Sequence, residues 1–169
     1  MPSDPLVVTA IVVAVTMTAA VVDLRTRRVP NWLTFGTAAL GITMAMTHLD
    51  GVGVAGAFEG LLVGLLLMLP GHVIGRTGAG DVKLLAALGT LLGPRSIVMA
   101  FLYTAIAGGG IAVVVAMRRR RLRETLEGTA TLVCTGGANA GDLEKPSTNN
   151  RFAYAPAIAV GTVIAAFRF

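Results

Sequence analysis

The sequence predicts an all-α integral membrane protein with about six transmembrane helices, its N-terminus outside and its acid-bearing turns cytoplasmic. Three observations predict this. Hydrophobic residues make up 54% of the 169 and charged residues 14%, against roughly 25% charged in ordinary soluble domains; mean hydropathy is +0.76. The apolar residues are gathered into runs, most of them near the length that crosses a bilayer. The basic residues cluster between those runs, as membrane topology requires. The net charge of +5 is therefore a topology signal. It does not form the basic polar face that binds nucleic acid, and no nucleic-acid partner is expected.

The chain reads as one domain, residues 1–169. Its first helix covers about 6–22, a nearly unbroken run of Val, Ile, Ala, Leu, Thr and Met. A cleaved signal peptide would need basic residues ahead of that run. Met1 to Pro5 contains none, while Arg25, Arg27 and Arg28 follow it. The polar turn Asp23-Leu-Arg-Thr-Arg-Arg-Val-Pro-Asn31 comes next. Pro30 suits the first turn of a helix, where its missing N–H would have had no partner. The second helix therefore covers about 31–47, with Trp32 at its mouth, where an indole favours the interface.

A short outer loop with His48 and Asp50 leads to a third helix over about 53–74. Gly56, Gly60 and Gly64 recur there at a spacing that lets helices approach closely in lipid. Glu59 reads as a carboxylate reaching the outer interface, and His72 as an interface or packing residue near the inner end. The glycine-rich turn 75–80 contains Arg76. The fourth apolar run, 82–92, holds only 11 residues before Gly93-Pro94, a strong breaker pair. Such a helix covers ~17 Å of a core ~30 Å thick, so it needs protein around its ends. A clear spanning run covers about 96–117. The basic stretch 118–151 follows as a cytoplasmic loop, suited to anionic lipid. The last helix covers about 152–167.

Charge checks the topology. The turns 23–31, 75–83 and 118–151 hold three, two and seven Lys or Arg, 12 of the 14; Arg95 and Arg168 fall on the other side. The basic side is cytoplasmic by the positive-inside rule. Asp23 and Asp81 both lie on it. The single cysteine, Cys134, can form neither an intramolecular disulfide nor a Cys-pair zinc site.

An ionisable residue beside a membrane-length segment costs several kcal/mol unless something offsets it, which makes Asp23 and Asp81 the candidate site. Two carboxyls can hydrolyse a peptide if one is ionised to activate water and the other protonated to supply the leaving nitrogen. Placed about 3 Å apart they share one proton. Gly78 and Gly80 beside Asp81 permit close approach by another chain. A phosphate-cradling loop would need a preceding strand and no terminating acid. Simpler roles stay open: Asp23 as a cap or a partner of Arg25 or Arg28, Asp81 as an N-cap, or both in a proton- or ion-coupled transport path.

Three segments together resemble the type IV prepilin leader peptidases, membrane aspartic proteases of the Gly-x-Gly-Asp type. They are Asp23 to Asn31, with Val29 where the family has Ile; Gly78-Ala-Gly-Asp-Val-Lys-Leu84; and Tyr154-Ala-Pro-Ala-Ile-Ala-Val-Gly161, with Ala153 where the family has Pro. The resemblance implies that Asp23 and Asp81 are the catalytic pair. It implies a prepilin-like substrate whose short basic leader is cut at the cytoplasmic face, and no metal or cofactor. Gly78, Gly80, Pro30, Asn31 and Tyr154 would shape the site or meet substrate. Lys83 would tune Asp81 or hold a lipid phosphate, and Pro156 would open the last helix beside the pair. Longer members carry a cysteine-bearing cytoplasmic domain and also methylate the product. Without that insert the chain is similar to the short, tight-adherence (Flp-type) peptidases, and methyltransferase activity is not expected.

Overall fold

The computed structural model describes residues 5–26, 28–47, 51–74, 77–118 and 155–167. Tyr154, Cys134, Arg76 and the basic stretch 119–151 lie outside the described residues. Among the described residues every element is helical: α1 Pro5–Thr26, α2 Asn31–Met46, α3 Gly53–Val73, α4 Ala79–Arg118 and α5 Ala155–Ala166. Helices suit a lipid environment because each satisfies its own backbone polar groups. The buried threonines follow the same logic. Thr16, Thr37, Thr104 and Thr162 each donate a 2.7 Å bond to the carbonyl four residues back in their own helix.

Three helices are long and apolar enough to cross a membrane: α1 over Leu6–Thr26, α3 over Gly53–Val73, and α4 over Ala79–Ile111. Within the 18-residue apolar stretch of each, the shares buried inside the protein differ sharply, at 28%, 22% and 67% respectively. So α4 is the hub, and it touches all four other helices. Leu84, Leu85, Leu88, Leu91 and Leu92 are fully buried. The outer surface is apolar as well, with Val21, Phe58, Leu62, Leu66 and Ile106 exposed. An apolar patch of that extent suits lipid and not water.

The two helices expected at 82–92 and 96–117 form one element that begins three residues earlier, at Ala79, and is broken at Gly93. Gly93 has φ 72° and ψ 174°, a conformation that strains any residue with a Cβ. Contacts on either side of the break run in opposite senses. Along α3, Gly60 meets Gly89 and Gly64 meets Leu85, so the first limb is antiparallel to α3. Gly41 of α2 meets Thr90, and Asn31 meets Lys83, so the same limb is parallel to α2. Along α5, Gly161 meets Ala100 and Thr104, while Ala165 shares a groove with Pro94 and Ser96. The second limb is thus antiparallel to α5.

These contacts define two ends. Asp23, Asn31, Lys83 and Ala155 lie at one. Thr9, which donates to the Ala166 carbonyl at 3.3 Å, lies at the other with Pro94. The first limb looked too short to span because it was weighed against lipid. Residues 84–93 are all buried, and protein surrounds them instead.

Candidate active site

Asp23 lies inside a helix and not in the polar turn after one, because α1 continues to Thr26. Only 5% of Asp23 is exposed. Its Oδ2 accepts a 3.3 Å hydrogen bond from the backbone N–H of Ala155. Ala155 is the first described residue of α5, and its N–H finds its acceptor on Asp23, outside the helix. The next residue, Pro156, has no amide to offer. Asp23 therefore caps α5 from 132 residues away. A negative group at a helix N-terminus is favoured by the aligned peptide dipoles.

Asp81 is held by the start of its own helix. The Gly78 carbonyl accepts from the N–H of Asp81 at 3.1 Å and of Val82 at 3.3 Å. The Gly78 N–H donates back to the Asp81 carboxylate. This is half of a capping box: the Asp81 side chain, three residues past the cap, reaches back to the Gly78 N–H, while the Gly78 carbonyl only begins the helical ladder. Asp81 is thus not the N-cap itself. It is 8% exposed. A Cβ on Gly78 would lie 3.0 Å from Asp81 Oδ2, so glycine leaves the carboxylate its place.

The first two motifs meet at three points. A Cβ on Gly80 would lie 3.0 Å from Val29 Cβ and 3.3 Å from its backbone nitrogen; glycine is needed for that approach. Lys83 Nζ donates to Asn31 Oδ1 at 3.1 Å and lies 5.8 Å from the centre of the Phe35 ring. Its hydrogen-bond partner here is thus Asn31, in the first motif. Third, Asp23 and Asp81 are close enough for the charge of one to act on the other. Pro30 precedes α2 with φ −71° and ψ 143°, an extended cap inside the first motif where the chain passes from α1 to α2.

The structure therefore brings together Asp23, Asp81, Gly78, Gly80, Pro30, Asn31, Lys83 and Pro156 at one end of the bundle. Tyr154 lies outside the described residues. His72 is exposed and serves the turn before Gly78: its Nδ1 lies 3.0 Å from the Thr77 carbonyl, and the Thr77 N–H donates to the Gly71 carbonyl at 3.1 Å. Sequence reasoning missed the Ala155 amide, which carries no side-chain signal. A largely apolar groove, lined by Arg95 and Met99 among others, lies at the opposite end and touches neither acid. Among the described residues no three His, Cys, Asp or Glu side chains gather. What the site holds is two buried carboxyls, each on a backbone N–H at a helix N-terminus, in range of one another.

The sequence model of the type IV leader peptidase family matches residues 10–113. That range contains Asp23 and Asp81 and runs from the first helix into the second limb of α4. No curated protein and no solved structure matches the chain.

Proposed function

Because the chain belongs to the type IV leader peptidase family, we propose that it is an aspartic endopeptidase using Asp23 and Asp81 as its catalytic pair. The observation that carries this reading is their convergence: two acids 58 residues apart in sequence are both buried at the same end of the bundle, Asp23 against the start of α5 and Asp81 in the first turn of α4. In the proposed reaction the ionised carboxyl takes a proton from water as that water attacks the peptide carbonyl. The protonated carboxyl supplies the proton that the leaving nitrogen needs. Two carboxyls brought within about 3 Å of each other hold a single proton between them, and the reaction calls for that approach. The two helix N-termini stabilise the one remaining negative charge.

The capping bonds do not compete with this chemistry. Each carboxylate has about four acceptor positions, and the bonds described above occupy one on each acid. The substrate we infer is a prepilin-like protein of a type IV filament or secretion system, in the tight-adherence manner. Its short basic leader suits an acidic site, and its apolar helix stays in the membrane. No methyl transfer is part of the reading, and the two carboxyls need no cofactor.

The topology proposed with it has six spans in the cytoplasmic (inner) membrane, the two limbs of α4 counting separately. Arg95 supports this. In one continuous span it would sit deep in the hydrocarbon, at a cost of a few kcal/mol or more; a reversal at Gly93 brings it to a membrane face. The charge distribution then puts the two acids on the cytoplasmic side. Membership of a peptidase family lends no support to the transport alternative.

The test uses Asn at both positions. Asparagine keeps an acceptor oxygen, so Asp23→Asn and Asp81→Asn can keep the hydrogen bonds from the Ala155 and Gly78 N–H groups while removing the acid. Each variant should stay folded and membrane-inserted yet leave a co-expressed prepilin at full length. Normal cleavage by either one reduces that acid to a cap.

A further inference from the structure

We infer that the protein carries a site for one anionic phospholipid at the membrane face opposite the two acids, in the groove between α3, the second limb of α4, and α5. This rests on the chain being a membrane protein and not on the chemistry proposed for Asp23 and Asp81. The groove has a volume of about 700 Å³. Its walls are Val63 of α3, Val98 and Met99 of α4 and Ala165 of α5; Arg95 and Ser96 form its polar end.

Two features select the occupant. The first is charge. Arg95 is the charged side chain among the described lining residues, and a guanidinium is suited to phosphate oxygens. It stands in the first turn after the Gly93 break, where the aligned peptide dipoles of the second limb also favour an anion. The second is polarity along the groove. Arg95 is exposed and belongs to the end of the bundle away from the acids. Met99 lies one turn further along the second limb, towards the other face. A head at Arg95 would therefore lead an acyl chain down an apolar wall. A free anion would leave that wall empty, and an apolar peptide helix would leave the guanidinium without a counter-charge. An anionic lipid satisfies both.

Native mass spectrometry of the purified full chain, released from detergent, tests this with three probes: phosphatidylglycerol, phosphatidylcholine with the same acyl chains, and inorganic phosphate. The wild type should retain one phosphatidylglycerol in preference to phosphatidylcholine. Arg95→Gln should lower phosphatidylglycerol retention about fivefold, the effect of one cation near an anionic lipid, and Arg95→Lys should restore most of it. Met99→Trp, which fills the groove from an exposed position, should reduce retention without touching Arg95. Equal retention of the two lipids by the wild type overturns the inference, as does unchanged phosphatidylglycerol in Arg95→Gln. Displacement by inorganic phosphate would show an anion site without a lipid, and a dimer that Met99→Trp dissolves would show a second copy in the groove; either overturns it. Prepilin cleavage is followed on the same samples and should be the same for all four proteins. Absence of cleavage throughout, wild type included, counts against the peptidase reading and leaves the lipid result standing.

Discussion

Gly78 illustrates how little room the site leaves at the scale of a single residue. Its missing Cβ would stand 3.0 Å from Asp81 Oδ2, so Gly78→Ala has to move the carboxylate by a few tenths of an ångström. The expected result is a fall in cleavage rate of about tenfold, short of the ~100-fold that a 1 Å misplacement can cost. The melting temperature should hardly change, and comparing the two measurements separates site geometry from stability. The pair also predicts a pH dependence. Cleavage should fall at low pH, when the pair takes up a second proton, and at high pH, when it loses the shared one. A rate profile that is flat across both limbs would contradict proton sharing.

Elements decide where those residues stand. The start of α5 reaches Asp23 through one backbone N–H, and Ala155→Pro removes that donor alone. Proline is well tolerated at the first helical position, so α5 should persist. Stability should drop by about 1.5–3 kcal/mol, the range for a hydrogen bond to a charged group, with a measurable loss of cleavage. The break in α4 gives a second prediction. Gly93→Ala forces a Cβ into a positive-φ conformation that is essentially glycine-only, at roughly 1–3 kcal/mol, and sets it 3.0 Å from Val52 Cγ1; thermal unfolding in detergent should register it. At Gly60, by contrast, any Cβ meets the Gly89 carbonyl of the facing limb. Gly60→Leu should therefore push α3 away from α4 and cost at least the ~1–3 kcal/mol of an overpacked core.

Across the whole molecule the consequence is sidedness. Asp23, Lys83 and Ala155 share one end, and Pro94 and Arg95 the other. Single cysteines introduced at Arg28 and at Arg95 in a Cys134→Ser background should report this. A membrane-impermeant maleimide should label the Arg95 position in intact cells, and the Arg28 position only after permeabilisation. Labelling of both from the same side would contradict the reversal at Gly93 and the six-span arrangement with it. The burial pattern belongs to this scale too. A membrane protein whose surface and interior are equally apolar offers little amphipathic signal, so α4 cannot be told from α1 by hydropathy as the central helix. Contact makes the distinction: 67% of the 18-residue apolar stretch of α4 is buried against 28% of that of α1.

Helical class, the acids at 23 and 81, the glycines that make room for them and the breaker at Gly93-Pro94 were all determined by residue types along the chain. Those properties depend on local chemistry: apolar length, backbone freedom and the cost of charge near lipid. Only the tertiary structure decided that Asp23 caps α5, that Asp81 is third in its helix and not the cap, that Lys83 turns to Asn31, and that the shortest apolar run is the most enclosed. Each of these joins groups distant in sequence or depends on a backbone amide, and an amide has no residue identity to read. Hydrogen bonds and burial are relations between parts of a folded chain, so they come into being only when the helices meet.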